Sequence, residues 1–200
     1  MADHYYSKKP GVESKPQWWD FTLRGHKLKF KTDQGVFSKS EVDFGSRVLI
    51  EAFREPEIAG DILDVGCGYG PIGLSIAKSF PERSVQMVDV NDRAMQLARE
   101  NARHNGVHSV KVYESDCLDQ VDDTGFAAIL TNPPIRAGKQ TVHKIFEQSA
   151  EKLAAGGELW VVIQKKQGAP SALQKLESLF DEVETVDKQK GYFIFCAKKH

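Results

Sequence analysis

Hydrophobic and polar positions follow two rhythms along this chain, and the switch between them divides it. In HKLKFKT, Leu28 and Phe30 alternate with Lys27, Lys29 and Lys31, the period of a strand, and Asp33-Gln34-Gly35 supplies a turn after it. VDFGSRVLIEAF returns Val48, Leu49, Ala52 and Phe53 at helical spacing, with Pro56 just past the end. The first twenty residues are polar and carry Pro10, Gly11 and Pro16, so they read as irregular, with Trp18 and Trp19 covering the core in preference to stacking on bases. From Asp61 onward strands and helices alternate. DILDV is a strand, followed by a glycine-rich turn and the helix PIGLSIAKSF. SVQMVDV precedes the helix DRAMQLARENARHNG, whose Gly106 sits where a helix-ending glycine belongs. VKVY and FAAIL are further strands, and a helix covers roughly Gln140 to Leu153. ELWVVIQ follows Gly156-Gly157 as a strand, and Ser171 to Phe180 forms another helix. Two strands flank Lys190-Gly191 with no room for a helix between them, so they form an antiparallel hairpin.

Such alternation forces a mostly parallel sheet covered on both faces. The expected fold is α/β and Rossmann-like, a seven-stranded sheet closing on a C-terminal antiparallel hairpin, with a short N-terminal β/α extension. No linker or repeat divides it. The chain reads as one domain, 1–200, in which 1–56 form the extension and a substrate-side cover and 57–200 the core.

Composition narrows the class without naming it. A net charge of −1, with 28% charged and 40% apolar residues, suits a soluble globular protein and excludes a strongly basic coat. It leaves room for a local nucleic-acid face. MADHYYSKKPGVESKP lacks the apolar core of a signal peptide, and no apolar run is long enough to span a membrane. Cys67, Cys117 and Cys196 are widely separated without a CxxC, and read as reduced thiols of a cytoplasmic protein. The histidines show no metal-ligand spacing and no serine occupies a nucleophile elbow, so neither a metal site nor covalent catalysis is expected.

Candidate chemistry begins at LDVGCGYGPIG, where a strand passes into a helix. Glycines there let the backbone bend tightly and let a ligand approach without meeting a Cβ. The corner also points free N–H groups at whatever binds. Asp89 ends the next strand about twenty residues on, where a carboxylate can accept ribose hydroxyls. Gly68, Gly70 and Gly73 satisfy G-x-G-x-x-G literally, but that fingerprint wants its first glycine directly after the strand, where Gly66 stands. The better register is D-x-G-x-G-x-G from Asp64 through Gly66, Gly68 and Gly70. A carboxylate at Asp64 suits a ligand bearing an ammonium or sulfonium better than a pyrophosphate. S-adenosylmethionine is therefore favoured over a nicotinamide dinucleotide. In YESDCLD, Asp116 is placed to accept from an adenine amino group while the Cys117 N–H donates to the ring.

The strand FAAILT ends on Asn132, Pro133 and Pro134, a corner that neither a strand nor a helix can cross comfortably. In open parallel sheets ligands bind beyond the carboxyl ends of the strands near the switch in strand order, which places Asn132 opposite the glycine turn. An exocyclic purine amine is a poor nucleophile because its lone pair is delocalised into the ring. Two acceptors gripping its N–H bonds, the Asn132 side-chain oxygen and the Pro133 carbonyl, would aim the lone pair at a methyl donor. The prolines hold that carbonyl, leaving little ordering for the moment of reaction.

DVGCGYG and NPPI together resemble class I S-adenosylmethionine-dependent methyltransferases, the second motif being the N-P-P-[FYI] signature of enzymes acting on planar amino nitrogens. FKTDQGVFSKSEVDFGSRVLIEAF and TNPPIRAGK are more closely similar to the catalytic domain of the ribosomal RNA small subunit methyltransferase C family and its stand-alone relatives, over nearly the whole chain. The resemblance implies the class I methyltransferase fold, S-adenosylmethionine as cofactor, S-adenosylhomocysteine as product, and N2-methylation of guanine in small-subunit ribosomal RNA. By it, Asp64, Gly66, Cys67, Gly68 and Gly70 cradle the methionine part, Asp89, Val90 and Asn91 the ribose side, and Asp116 and Cys117 the adenine. Asn132, Pro133, Pro134 and Ile135 face the target amine, with Asn132 also beside the cofactor. Full-length bacterial members carry a further N-terminal domain that this sequence does not span. Position 135 is isoleucine where many N-P-P enzymes place an aromatic under the base, and Phe37, beside Ser38 in GVFS, is the candidate to supply that ring. Arg136, Lys139 and Lys165, with Lys166, suggest a basic rim for phosphates. A glutamine amide in a translation protein, a nicotinamide-dependent reductase, and a silent RNA-binding relative remain open alternatives.

Overall fold

In the computed structural model, which describes residues 6–38 and 41–200, the expected alternation becomes one sheet with a hairpin beside it. The hairpin is β1, Gln17–Leu23, and β2, His26–Thr32. Helix α1, Phe44–Ala52, leads into the core. There β3 (Ile62–Val65), α2 (Pro71–Ser79), β4 (Val85–Asp89), α3 (Asp92–His104), β5 (Val110–Glu114) and β6 (Phe126–Thr131) follow. The chain ends with α4 (Lys139–Lys152), β7 (Leu153–Gln164), α5 (Ala169–Leu179), β8 (Glu182–Gln189) and β9 (Tyr192–Lys198). Among the described residues the main sheet has seven strands in the order β5-β4-β3-β6-β7-β9-β8. Pairing is parallel from β5 to β7 and antiparallel at β9 and β8, as the alternation and the helix-free tail require. The order reverses between β3 and β6, where a crevice opens at the carboxyl ends.

Side chains of the central strands divide strictly between the two faces. Ile62, Ala128, Leu130, Trp160 and Val162 join the core under α1, α2 and α3, whereas Leu63, Val65, Ile129, Leu159 and Val161 join the one under α4 and α5. Burial on both faces is why these strands read as continuous apolar runs. Trp160, fully buried, meets the edge of the Phe53 ring at 5.3 Å and fastens α1 to β7.

Three expectations need correction. Residues 17–23 form a strand, not an irregular segment: Trp19, Phe21 and Leu23 turn inward while Trp18, Asp20 and Thr22 turn outward. Of the first twenty residues, 1–5 lie outside those described. Trp18 does not cover the core; it is 47% exposed on the outer face, with the ammonium groups of Lys29 and Lys31 at 5.5 and 5.9 Å from its ring. Lys27, Lys29 and Lys31 do share that face. The strand β7 also begins earlier than ELWVVIQ, at Leu153, and kinks where its register with β6 shifts between Phe126 and Ala128. Gly157 makes the close approach possible, since a Cβ there would come within 2.7 Å of the Phe126 carbonyl.

The hairpin is docked through α3. Asn101 and Asn105, one helical turn apart, act as a surrogate strand for the edge of β2. Asn101 accepts from the Lys31 N–H (2.7 Å) and donates to its carbonyl (3.0 Å). Asn105 does the same for Lys29, at 2.9 and 2.8 Å. An edge that would otherwise present open backbone groups is thereby closed. Inside, Trp19, Phe30 and Tyr69 pack with ring centroids 5.4–5.8 Å apart, which ties the hairpin to the glycine turn.

Candidate functional site

A cavity of about 520 Å³ lies at the switch point, within the usual range for small-ligand pockets, roughly 300–1,000 Å³. Its floor is the turn after β3. Gly66 and Gly68 take left-handed backbone angles, φ +75° and +56°, and a Cβ on either would stand in open space. Both are bare backbone facing the cavity, so a ligand can lie directly on the chain. The Gly66 and Cys67 N–H groups both donate to the Val88 carbonyl at 2.9 Å, which pins the turn to β4. Gly70 serves packing instead: it lies outside the cavity lining, and a Cβ there would meet Leu74 at 2.8 Å.

Asp89, at the end of β4, lines the cavity and braces the turn. One carboxylate oxygen accepts the Gly68 N–H at 2.8 Å and the other the Asn91 N–H at 2.9 Å. The carboxylate keeps lone-pair capacity for a ligand hydroxyl. Burial pushes the Asp89 carboxyl up from the usual carboxylate range. Val90 and Asn91 line the cavity beside it. Asn91 caps α3 through the Ala94 N–H at 3.0 Å and donates to the Gly35 carbonyl at 2.9 Å, anchoring the segment that carries Phe37.

Asp64 lies beneath the turn, 1% exposed and outside the lining. Its Oδ2 accepts the Gly73 N–H at 2.9 Å and its Oδ1 has no partner among the described residues. Burial, reinforced by nearby Asp89, raises its pKa to about 7. An orphaned buried oxygen under a bare glycine cradle is the environment a cationic ligand satisfies.

At the other end, Cys117 and Ser115 line the cavity and Asp116 does not. Tyr6, from the N-terminal segment, lines it too. Its hydroxyl donates to Asp116 Oδ1 at 3.0 Å, closing the wall that the sequence assigns to Asp116 and Cys117. Burial pushes the Cys117 thiol up to about 11 and the Cys67 thiol well above the ordinary value, so both stay protonated and neither is a nucleophile. Among the described residues no group of three His, Cys, Asp or Glu side chains is arranged to hold a metal.

Across the cavity stand Asn132, Pro133, Pro134 and Ile135. The Thr131 hydroxyl donates to the Val65 carbonyl at 2.9 Å, locking β6 to β3 just before the corner. The Asn132 Nδ2 donates to Asp43 Oδ2 at 3.0 Å and to Ser46 Oγ at 2.9 Å. A carboxylate only accepts, so the nitrogen must face α1 and the carbonyl oxygen the other way. Asp43 is also the N-cap of α1, accepting the Ser46 N–H at 3.0 Å. Sequence reasoning missed Asp43 and Ser46 as parts of the site. The only trace they leave is Asp as a helix-capping residue before an apolar-periodic run.

Phe37, 43% exposed, and Ser38 line the cavity on the side of the N-terminal cover, and Arg136 lines it from the corner. Lys139 does not reach this cavity but borders a smaller neighbour, and Lys165 lines neither, standing exposed after β7.

Comparison with known proteins adds an independent line. Residues 27–196 match the family model described as methyltransferase small domain. A Bacillus subtilis relative named uncharacterized protein YbxB is 63% identical over the full length of both chains. Ribosomal RNA small subunit methyltransferase C of Vibrio cholerae is 33% identical over 88% of this chain and 51% of its own. The T. thermophilus 16S rRNA N2 G1207 methyltransferase, solved with AdoMet and guanosine, superposes with a TM-score of 0.81 at 25% identity, covering 96% of this chain and 52% of that one. The chain thus spans about half the length of these named methyltransferases. No helix among the described residues is long and apolar enough to cross a membrane.

Proposed function

The chain belongs to the methyltransferase small domain family, S-adenosylmethionine-dependent methyltransferases, and from that premise we propose that its acceptor is the exocyclic N2 amine of a guanine in small-subunit ribosomal RNA. The observation that carries the reading is the clamped Asn132 amide. With both of its N–H bonds held by Asp43 and Ser46, only the carbonyl oxygen is left to meet an acceptor in the cavity. An amine N–H is what such an oxygen binds. The RNA and the guanine come from the named relatives, one of which was solved with guanosine.

Gly66, Cys67 and Gly68 form the cradle for the methionine part, with Gly70 packing the turn behind them and Asp64 beneath compensating its positive charge. Asp89 takes the ribose with Val90 and Asn91 alongside, and Cys117 and Tyr6, the latter held by Asp116 from outside the lining, enclose the adenine. Bound S-adenosylmethionine supplies a methyl group already activated on sulfonium, so the protein's task is to place and desolvate the amine. Asn132 Oδ1 and the Pro133 carbonyl accept its two N–H bonds, draw the nitrogen out of conjugation and aim its lone pair across the cavity. Because the prolines and the α1 clamp fix these acceptors beforehand, little reorganisation remains at the transition state. The extra proton of the methylated amine is acidic and leaves to water. The described part of the N-terminal extension covers the acceptor, with Phe37 and Ser38 beside the base and Arg136, Lys139 and Lys165 toward phosphates. The reaction belongs in the cytoplasm, where ribosomes are.

The test is to incubate the chain and labelled cofactor with ribosomal RNA and small subunits from a strain lacking this gene, then map the label by mass spectrometry. Label on guanine N2 supports the reading. Label only on a glutamine amide of a protein overturns it.

A further inference from the structure

We propose that the smaller cavity beside the corner is a second subsite, which receives the nucleobase adjoining the methylated guanine in the RNA strand. This rests on the ribosomal RNA reading above. The cavity measures about 230 Å³ and lies between the start of α4, the end of β7 and the start of α5. That is below the roughly 300–1,000 Å³ typical of a pocket for a whole small ligand, and suits one ring system. Ile135, Val142, Ile163 and Ala172 give it an apolar wall, while Lys139 and Gln167 are polar members of its lining.

Its position identifies the occupant. Ile135 and Gln167 line both cavities, so the two spaces are neighbours with a shared wall whose aliphatic part is Ile135. Adjacent nucleotides of one strand are the chemistry that fills adjacent slots divided by an aliphatic partition. Apolar side chains act as such partitions when a base is drawn out of its stack, and unstacking costs a few kcal/mol per step. A slot for the neighbour returns part of that cost by giving the abandoned face new apolar contact. Ile135 thus acquires a use that an aromatic at this position would not serve: it divides two bases where a ring would support one.

The rim has the matching charge. Arg136 lines the larger cavity and Lys139 the smaller, Lys165 and Lys166 stand exposed directly before Gln167, and none of the four forms an ion pair with a described carboxylate. Phosphates on either side of the paired bases are the groups these cations fit.

The experiment uses an RNA oligonucleotide spanning the guanine mapped above, alongside versions abasic at the position before or after it. Methyl transfer by the full chain is compared with that of Ser171→Phe, which puts a ring into the smaller cavity from the first turn of α5 and leaves the larger lining untouched. The wild-type chain should show a KM at least tenfold higher for one of the abasic RNAs, with kcat within about threefold. Ser171→Phe should treat that RNA and the intact one alike, at the level of wild type on the abasic RNA, while binding S-adenosylhomocysteine normally. Indifference of the wild-type chain to both abasic positions overturns the subsite, and this arm requires no variant to fold. Absence of transfer to any RNA, intact or abasic, overturns the ribosomal RNA reading itself.

Discussion

On one side of the cavity, Gly66, Gly68 and Asp89 come from two consecutive strand-to-helix corners and hold one another through backbone hydrogen bonds. On the other, Asn132 takes its orientation from Asp43 and Ser46, which lie 89 and 86 residues earlier in the chain. The floor of the cofactor side is thus assembled by local chain geometry, and the acceptor side by contact between the start of α1 and the corner after β6. Perturbing that contact should leave cofactor binding standing and remove catalysis. Perturbing the glycine turn should do the reverse.

The sharpest division is expected from Asn132→Ala. Methyl transfer should fall at least tenfold while calorimetric affinity for S-adenosylhomocysteine stays within about twofold, because only transition-state contacts are lost. Comparable losses in both would dissolve the distinction between the two sides.

Asp89→Ala should strike the opposite half. It leaves the Gly68 and Asn91 N–H groups without acceptors, costing about 1–3 kcal/mol each where water cannot replace them. It also removes the ribose contact, so cofactor Kd should rise tenfold or more and thermal stability should drop. Unchanged affinity by calorimetry contradicts the assignment.

A smaller, intermediate effect is expected from Ser46→Ala, which removes one of the two acceptors holding the Asn132 amide. kcat should fall severalfold with cofactor affinity intact, and Ser46→Thr, which keeps a hydroxyl, should recover most of it. No response of kcat to Ser46→Ala would show that the amide needs no second anchor.

The remaining effect concerns pH. Asp64, raised to about 7 by burial and by Asp89, prefers its proton in the folded chain. Its contribution to stability is therefore complete below the ordinary carboxylate range and is lost as pH climbs through about 7. A cation above the turn reverses that preference. S-adenosylmethionine should bind up to about tenfold more tightly at pH 8 than at pH 6, and Asp64→Asn should flatten the profile. A flat profile in the wild-type chain removes Asp64 from the cofactor's electrostatics.

The same contrast explains what could be read from the sequence. The cofactor side is written in contiguous residues: the glycine turn, Asp89 one strand later, and the apolar runs of β3, β4 and β6 all announce themselves locally. The parallel order and the antiparallel tail follow from the spacing of strands and helices. The acceptor side is legible only at Asn132-Pro133-Pro134, whose partner Asp43 looks like an ordinary helix cap until the chain folds. Strand β1 was hidden because adjacent Trp18 and Trp19 mask an alternation in which only Trp19 turns inward. Tyr6 gave no local sign, since its role depends on meeting Asp116 across 110 residues.

The central claim, that this corner delivers a methyl group to the exocyclic amine of guanine, rests on one functional group, and inosine is guanosine without it. Methyl transfer should therefore be measured on two RNA oligonucleotides that differ only by guanosine or inosine at the mapped position. The account predicts N2-methylguanosine from the first and no methylation at that position in the second. Equal transfer to both would place the methyl on another atom and contradict it.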